Sequence, residues 1–346
     1  MFEGTENLLM TLPIIGITMG DPTGIGPEVI VKALSAQESF EACRPIVFGD
    51  REVLLKTVGF LGLPVTVEAV KEIPEDGYLP QRIFVLPVTQ LEAASLRFGH
   101  PDTKCGEAMV KYVEEAVQRV RTGRLDAITT CPINKRAINS AGCLFSGHTE
   151  LLAHLVQSPF VAMMFVGSKL KVVLVTIHLP LKEVPARIDV NRVLATIRIA
   201  DQGLKRLFGI GHPKIAVLGL NPHSGEEGLL GEEEKMAIIP AIEQARSQGI
   251  EVEGPFPADS FFSLEHPAPF DVVVSMYHDQ GLIPIKMVDF EEAVNLTLGL
   301  PFIRTSVGHG TAYDIAGKGL ASPANLLKAL LLASKLSKLK MNYQRA

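Results

Sequence analysis

The feature that most constrains this chain is an alternation of short apolar runs with helical patterns along almost its whole length. Ile14–Met19, Pro45–Phe48, Arg82–Leu86, Leu125–Thr130, Val161–Val166, Lys171–Ile177, Lys214–Leu220 and Asp271–Met276 read as strands. Pro27–Leu34, Lys104–Thr122, Thr149–Val156, Asn191–Phe208, Glu232–Gln248 and Pro323–Leu336 read as helices, the first with Pro at its opening position. A βαβα order of this kind predicts an α/β fold, a mainly parallel sheet with helices on both faces. At 346 residues the chain is too long for one core and comfortable for two. The Pro/Asn/Gly-rich stretch Cys131–Gly147 reads as a crossing point, with a return near Leu300. The expected division is 1–135 plus 300–346 as one α/β/α domain and 136–299 as the other.

Composition removes several function classes. A net charge of -5 and a pI near 6.0 imply no basic face, so nucleic acid is a poor partner. Lys169 and Lys171 interrupt the best candidate bilayer span, Phe160–Leu181, so no membrane insertion is expected. Met1–Leu12 carries Glu3 and Glu6 and no basic residue, the wrong polarity for a signal peptide. Cys43, Cys105, Cys131 and Cys143 form no CxxC pair and read as reduced, small buried side chains, which predicts a cytoplasmic setting. No tandem repeat or heptad run is present.

Three of the strands run into histidine: Lys171–Ile177 into His178, Lys214–Leu220 into Asn221-Pro222-His223, and Asp271–Met276 into Tyr277-His278-Asp279. Ligands of open parallel sheets bind outside the carboxyl ends of strands, so these residues are candidates for one shared site. Three neutral imidazoles with an open position are a catalytic metal arrangement; zinc suits them, and magnesium, manganese and cobalt stay open. Singly, a histidine is more often a capping or packing residue than a ligand; it is the three equivalent strand ends together that point to a metal. His100, His154, His212 and His266 lack the strand-end context.

An anionic substrate has candidate partners too. Phe145-Ser-Gly-His148-Thr149-Glu150 opens a helix, where backbone N–H groups, a hydroxyl and an imidazole favour phosphate or carboxylate; ordinary capping is the plainer alternative. Lys286, Asn295 and Arg304 follow His278 among apolar neighbours, which disfavours a solvated face. Arg304 offers a bidentate grip and Lys286 a point charge.

Two segments are glycine-rich. Gly20-Asp-Pro-Thr-Gly24-Ile-Gly26-Pro-Glu28 lies between strand and helix, but Val29 breaks the dinucleotide fingerprint. A phosphate-cradling loop and a tight structural turn are equal readings of it. His309-Gly310-Thr311-Ala-Tyr313-Asp314-Ile-Ala-Gly-Lys-Gly319-Leu-Ala-Ser322-Pro is similar to the adenosine-binding loop of isopropylmalate and isocitrate dehydrogenases, HGSAPDIAGKGIANP. That similarity implies backbone approach to the cofactor at His309, Gly310 and Thr311, and a ribose contact from Asp314. A carboxylate there favours NAD over NADP, which stays possible. Tyr313 and Ser322 depart from the pattern.

With these motifs in order, the chain resembles the 4-hydroxythreonine-4-phosphate dehydrogenase family from Gly16 to about Leu331. The carriers are Gly20–Glu28, Gly147–Glu150, His178–Leu181, Leu220–His223, Pro257-Ala-Asp259, Met276–Gly281, Asn295–Ser306 and His309–Gly319. The resemblance implies an isocitrate/isopropylmalate dehydrogenase-like pair of domains with the active site in the cleft between them, at a homodimer interface. It implies one divalent metal on His178, His223 and His278 drawn from both subunits, and a substrate held by His148, Thr149, Lys286, Asn295 and Arg304. Asp259 is a possible further cleft carboxylate. The implied reaction oxidises 4-(phosphooxy)-L-threonine with NAD and releases CO2, giving 3-amino-2-oxopropyl phosphate. Lys286 or His148 moves the proton. A sister activity on 4-phospho-D-threonate or 4-phospho-D-erythronate, and a non-catalytic metabolite-binding role on the same fold, are the alternatives.

Overall fold

All eight strands expected from the apolar runs form, and four more join them in one sheet. The structure, a computed structural model, describes residues 12–263, 269–289 and 292–345. The amino-terminal reading up to Thr11 and that of His266 lie outside the described residues. The strands are β1 (Ile14–Thr18), β2 (Arg44–Gly49), β3 (Thr66–Ala69), β4 (Arg82–Pro87), β5 (Ala127–Thr130), β6 (Ala162–Val166), β7 (Lys171–Leu174), β8 (Ile215–Leu218), β9 (Val252–Phe256), β10 (Val272–Ser275), β11 (Val294–Leu298) and β12 (Ile303–Ser306). Their order across the sheet is β3-β4-β2-β1-β5-β12-β11-β6-β7-β10-β8-β9.

Two parallel groups flank an antiparallel seam. β3, β4, β2, β1, β5 and β12 run one way. β7, β10, β8 and β9 are parallel to one another. Between them the pairings β12–β11, β11–β6 and β6–β7 are antiparallel, and three reversals leave the two groups pointing in opposite directions. The carboxyl ends of β5 and β12 therefore do not share a sheet end with those of β7, β8 and β10.

Helices cover both faces because their apolar stripes match the strands beneath. Helix Thr103–Arg121 buries Ala108, Tyr112, Val113, Ala116 and Val117 over β1, β2 and β5. It opens on Asp102, whose carboxylate accepts the Cys105 N–H at 2.8 Å and satisfies one of the unpaired first-turn donors. Helix Val190–Phe208 is capped by Asp189 and closed by left-handed Gly209. Helix Ala324–Arg345 packs on β12, β5 and Val190–Phe208.

Four elements depart from the apolar pattern for physical reasons. β11 and β12 carry Asn295, Thr297, Arg304, Thr305 and Ser306, all buried, so polar side chains stand where a hydrophobic run would announce a strand. Helix His278–Asp289 contains Gly281 and Pro284; a Cβ on Gly281 would stand 2.6 Å from Val172 Cγ1, so glycine lets this helix press against β7. The single helix expected over Glu232–Gln248 is split into a π turn, Glu234–Ile238, and an α-helix, Ile239–Ser247. Pro240 has no N–H to return to the preceding turn, and the side chain of Glu234 is drawn inward to hold the end of β8.

Gly106, on helix Thr103–Arg121, faces helix Lys135–Ser140, and a Cβ there would stand 2.2 Å from the Ala137 carbonyl oxygen. Gly106→Ala is expected to lower stability by about 1–3 kcal/mol, read as a lower Tm in thermal melts. An unchanged Tm would show that the two helices can separate freely.

Candidate active site

The cleft lies over the antiparallel seam. It has a volume of about 280 Å³, and its wall combines Thr130–Ile133 after β5, Ser146–Glu150, Met163, Ile177 and His178 after β7, Asn295 on β11, and Arg304 to Gly310 on and after β12. The opposed strand groups thus meet on a face of the sheet rather than at one sheet end.

The deepest charge is Arg304, 2% exposed on β12. Nη1 donates to Thr297 Oγ1 at 2.9 Å and Nη2 to Thr130 Oγ1 at 2.6 Å. Nε has no partner, and among the described residues no carboxylate pairs with the guanidinium. Burial pulls its pKa down to about 9, Glu150 opposing the shift, so the group is charged at neutral pH. An unpaired buried cation costs several kcal/mol; an anionic ligand would remove that cost.

His148 opens helix His148–Leu155, whose N-cap residue Gly147 supplies no capping side chain. Its Nε2 is buried with no partner. Burial and the neighbouring Arg304 charge hold its pKa well below the usual histidine range, so the ring is neutral. Thr149 is buried beside it, and Asn295 Oδ1 is a second buried atom with no partner. Arg304, His148, Thr149 and Asn295 thus form one pocket of unsatisfied polar groups, the arrangement that a small polar anion fits.

His178 lines the cleft, and His278 stands next to it outside the cleft wall, the two ring centroids 5.7 Å apart. With metal–nitrogen bonds of about 2.0–2.1 Å, rings at this spacing can share one ion. His278 Nδ1 and Asp279 Oδ1 lie 2.7 Å apart, a contact that orients the ring and leaves Nε2 available. Burial lowers the His178 pKa, with Lys135 and His278 adding to the effect, and a neutral ring is the ligating form.

The structure does not bring His223 to this pair within one chain. Among the described residues, no group of three or more His, Cys, Asp or Glu side chains is arranged to hold a metal. His223 is exposed at the start of a left-handed turn: His223, Ser224, Gly225, Glu226 and Glu227 all have φ between 45° and 80°. Each non-glycine residue in that conformation costs about 1–2 kcal/mol. Glu234 holds the turn's root, accepting the Leu220 and Asn221 N–H groups at 2.7 and 2.8 Å and Asn221 Nδ2 at 2.9 Å. Lys286 and Asp259 are exposed and outside the cleft wall.

His309 and Gly310 line the cleft, and His309 Nε2 is buried without a partner. Thr311 is half-buried and Asp314 is exposed. The 20–28 loop is tightly turned, with the N–H groups of Asp21, Thr23, Gly24 and Ile25 bonded within the protein. Cys131 borders the cleft as a buried thiol whose pKa burial raises, which suits packing rather than nucleophilic chemistry. Lys135 and Glu150 also line the cleft, although the motifs give them no role. Asn134, whose side chain accepts the Ala137 N–H at 2.8 Å, is the local signal that fixes the helix start beside Lys135.

Arg304→Met removes the unpaired charge and is expected to raise the ligand-free Tm, and to abolish the further Tm rise that millimolar phosphate gives the parent protein; a retained rise would remove Arg304 from the anion pocket. His148 predicts a pH effect. The unfolded chain takes up its proton near pH 6.5, while the folded ring resists until lower pH, so stability falls as pH drops below about 6.5. His148→Gln should flatten that fall in denaturation series across pH; an unaltered slope would refute the assignment.

Known proteins resemble this chain along most of its length. The family model described as "Pyridoxal phosphate biosynthetic protein PdxA" matches residues 41–333. A 4-hydroxythreonine-4-phosphate dehydrogenase from Desulforapulum autotrophicum is 50% identical over 322 residues, 93% of this chain and 95% of that protein. A D-threonate 4-phosphate dehydrogenase from Cupriavidus necator is 46% identical over 327 residues, 94% of this chain and 98% of that protein. The crystal structure of 4-hydroxythreonine-4-phosphate dehydrogenase from Klebsiella pneumoniae superposes with a TM-score of 0.87 at 38% identity, covering 94% of this chain and 99% of that one. The chain belongs to the PdxA family of pyridoxal phosphate biosynthetic proteins.

Proposed function

We propose that this protein is an oxidoreductase that acts on the CH–OH group of 4-(phosphooxy)-L-threonine with NAD and a divalent ion, releasing CO2 and 3-amino-2-oxopropyl phosphate for pyridoxal phosphate synthesis. The observation that carries the reading is the buried Arg304 guanidinium, unpaired by any carboxylate, beside the orphaned His148 Nε2 and next to the His178–His278 pair. A binding protein for phosphate needs the first feature and not the second, which disfavours the non-catalytic alternative.

In this reading Arg304, His148 and the N–H groups at the start of helix His148–Leu155 hold the phosphate, and Thr149 adds a hydroxyl. His178 and His278 hold the ion (zinc, magnesium, cobalt or manganese), Asp279 fixing the His278 ring. When bound, the ion polarises the alcohol and the nicotinamide accepts the hydride. His309, Gly310, Thr311 and Asp314 hold the dinucleotide. Lys286, or neutral His148, moves the proton. The expected two-domain division would place the cleft between the domains, since its wall draws on 130–135 and 304–310 from one and on 146–295 from the other.

Glu150 favours the amino substrate over 4-phospho-D-threonate or 4-phospho-D-erythronate. It is the carboxylate among the described cleft residues, and an ammonium needs such a partner where a hydroxyl does not. Turnover on each purified substrate, followed by NADH absorbance, tests the choice: activity confined to the threonate overturns it. Glu150→Gln should raise KM for the amino substrate more than for the threonate.

A homodimer completes the site. His223 and Lys286 are exposed in the single chain, beside exposed Leu181, Leu229, Met236, Ile283 and Met287, the kind of apolar surface a partner covers. Mixing inactive His223→Ala and Arg304→Ala proteins should restore about a quarter of the activity if each site takes these residues from different subunits; no recovery would place both in one subunit. A cytoplasmic setting suits four free cysteines, and no described helix is long and apolar enough to cross a membrane.

A further inference from the structure

The 20–28 loop has the place of a phosphate loop, but four of its N–H groups are already bonded within the protein. Asp21 N–H donates to Pro132 O at 2.8 Å, Thr23 N–H to Asp21 Oδ1 at 2.8 Å, and Gly24 N–H to Asp21 O at 3.1 Å. Ile25 N–H donates to Thr311 O at 3.1 Å, and Pro22 and Pro27 have no N–H. Besides Pro132 and Gly99, the loop touches the 309–321 segment, far away in sequence.

Three contacts join the two segments. The first is the Ile25–Thr311 bond. In the second, the Tyr313 hydroxyl donates to Asp21 Oδ2 at 2.5 Å. In the third, Glu28 Oε1 accepts the Ala321 N–H at 2.8 Å and Lys32 Nζ at 2.8 Å, and the same ammonium donates to Gly319 O and Ala321 O at 2.8 and 2.7 Å. Asp21 and Glu28 are 0% and 1% exposed, so these carboxylates are committed to the interior. The approach at Gly24 is close: a Cβ there would stand 3.1 Å from Thr311 O, which would have to give by a few tenths of an ångström.

The segment so held is not in a relaxed shape. Ala312, between the Thr311 and Tyr313 anchors, has φ 44°, and Gly317 and Gly319 are also left-handed. A non-glycine residue keeps such a conformation only where its surroundings impose it. Burial and the Asp21 carboxylate raise the Tyr313 pKa, so the phenol keeps the proton it donates.

We propose that the 20–28 loop is the frame that preshapes the 309–319 backbone for the dinucleotide, with Asp21, Tyr313, Glu28 and Lys32 as positioning residues that touch neither substrate nor cofactor. The inference rests on the NAD reading above. Prior ordering of the loop removes an entropic cost from binding, so loss of an anchor weakens the cofactor and not the substrate.

The test is NADH affinity by fluorescence titration of the full-length protein and of Tyr313→Phe and Lys32→Met. Each variant should bind NADH about tenfold more weakly. In the steady state KM for NAD should rise in step, while kcat and the KM of the phosphorylated substrate stay within about twofold. Tm should hold for Tyr313→Phe, and hydrogen exchange of 309–321 in the cofactor-free protein should quicken. Unchanged NADH affinity in both variants overturns the framing role. So does a joint rise of both KM values with a fallen Tm, which marks a merely structural pair. Absence of NADH binding by the parent protein is a different failure: it removes the NAD reading and this inference with it.

Discussion

A guanidinium buried among hydroxyl groups, with no carboxylate paired to it among the described residues, is the constraint around which this molecule is arranged. Arg304 needs β12 to carry it, Thr130 on β5 and Thr297 on β11 to take two of its protons, and a ligand to balance its charge. Those requirements explain why three adjacent central strands contain polar residues that a purely structural sheet would not tolerate. They also explain the neutral state of His148, since a second cation beside Arg304 would repel it. The anion pocket is an electrostatic deficit left open by the fold, and the fold's stability without ligand is lower for it.

The antiparallel seam does the complementary task. A sheet with one strand direction offers all its carboxyl ends along one edge. Here the direction reverses between β12 and β7, so the anion-holding residues and the imidazoles come from groups of strands that run oppositely. They converge because the cleft lies over the seam itself. The Glu234-supported left-handed turn at His223 and the Asp21-anchored loop at Tyr313 share a logic: a buried carboxylate accepts backbone or side-chain donors and stabilises a backbone conformation that the local sequence resists.

Much of this was legible in the residues because strands buried on both faces are apolar runs and helices over them have 3.6-residue stripes. β1, β2, β4 to β8 and β10 follow directly from that rule. β11 and β12 do not, because Asn295 and Arg304 occupy them for chemical reasons and mask the hydrophobic signal. The helix start at His148 and the pairing of His178 with His278 at strand ends were readable from local pattern. Exposure of His223 and Lys286 was not, since it depends on tertiary packing that no local pattern records. Nor was the Asp21–Tyr313 contact, which spans 292 positions and has no sequence signature. The 20–28 loop shows the hazard in particular: glycine and proline permit a cradle and a tight turn alike, and only the destination of each N–H distinguishes them.

The sheet ends in β3 and β9. β3 is four residues long and presents Glu68, paired with Arg82, while β9 carries Glu253 and Pro255. Short, charged or proline-bearing margins offer a poor template for strand addition from another molecule. Edge-to-edge pairing with another sheet is thereby disfavoured at both margins, as a wide sheet with open hydrogen-bonding edges requires.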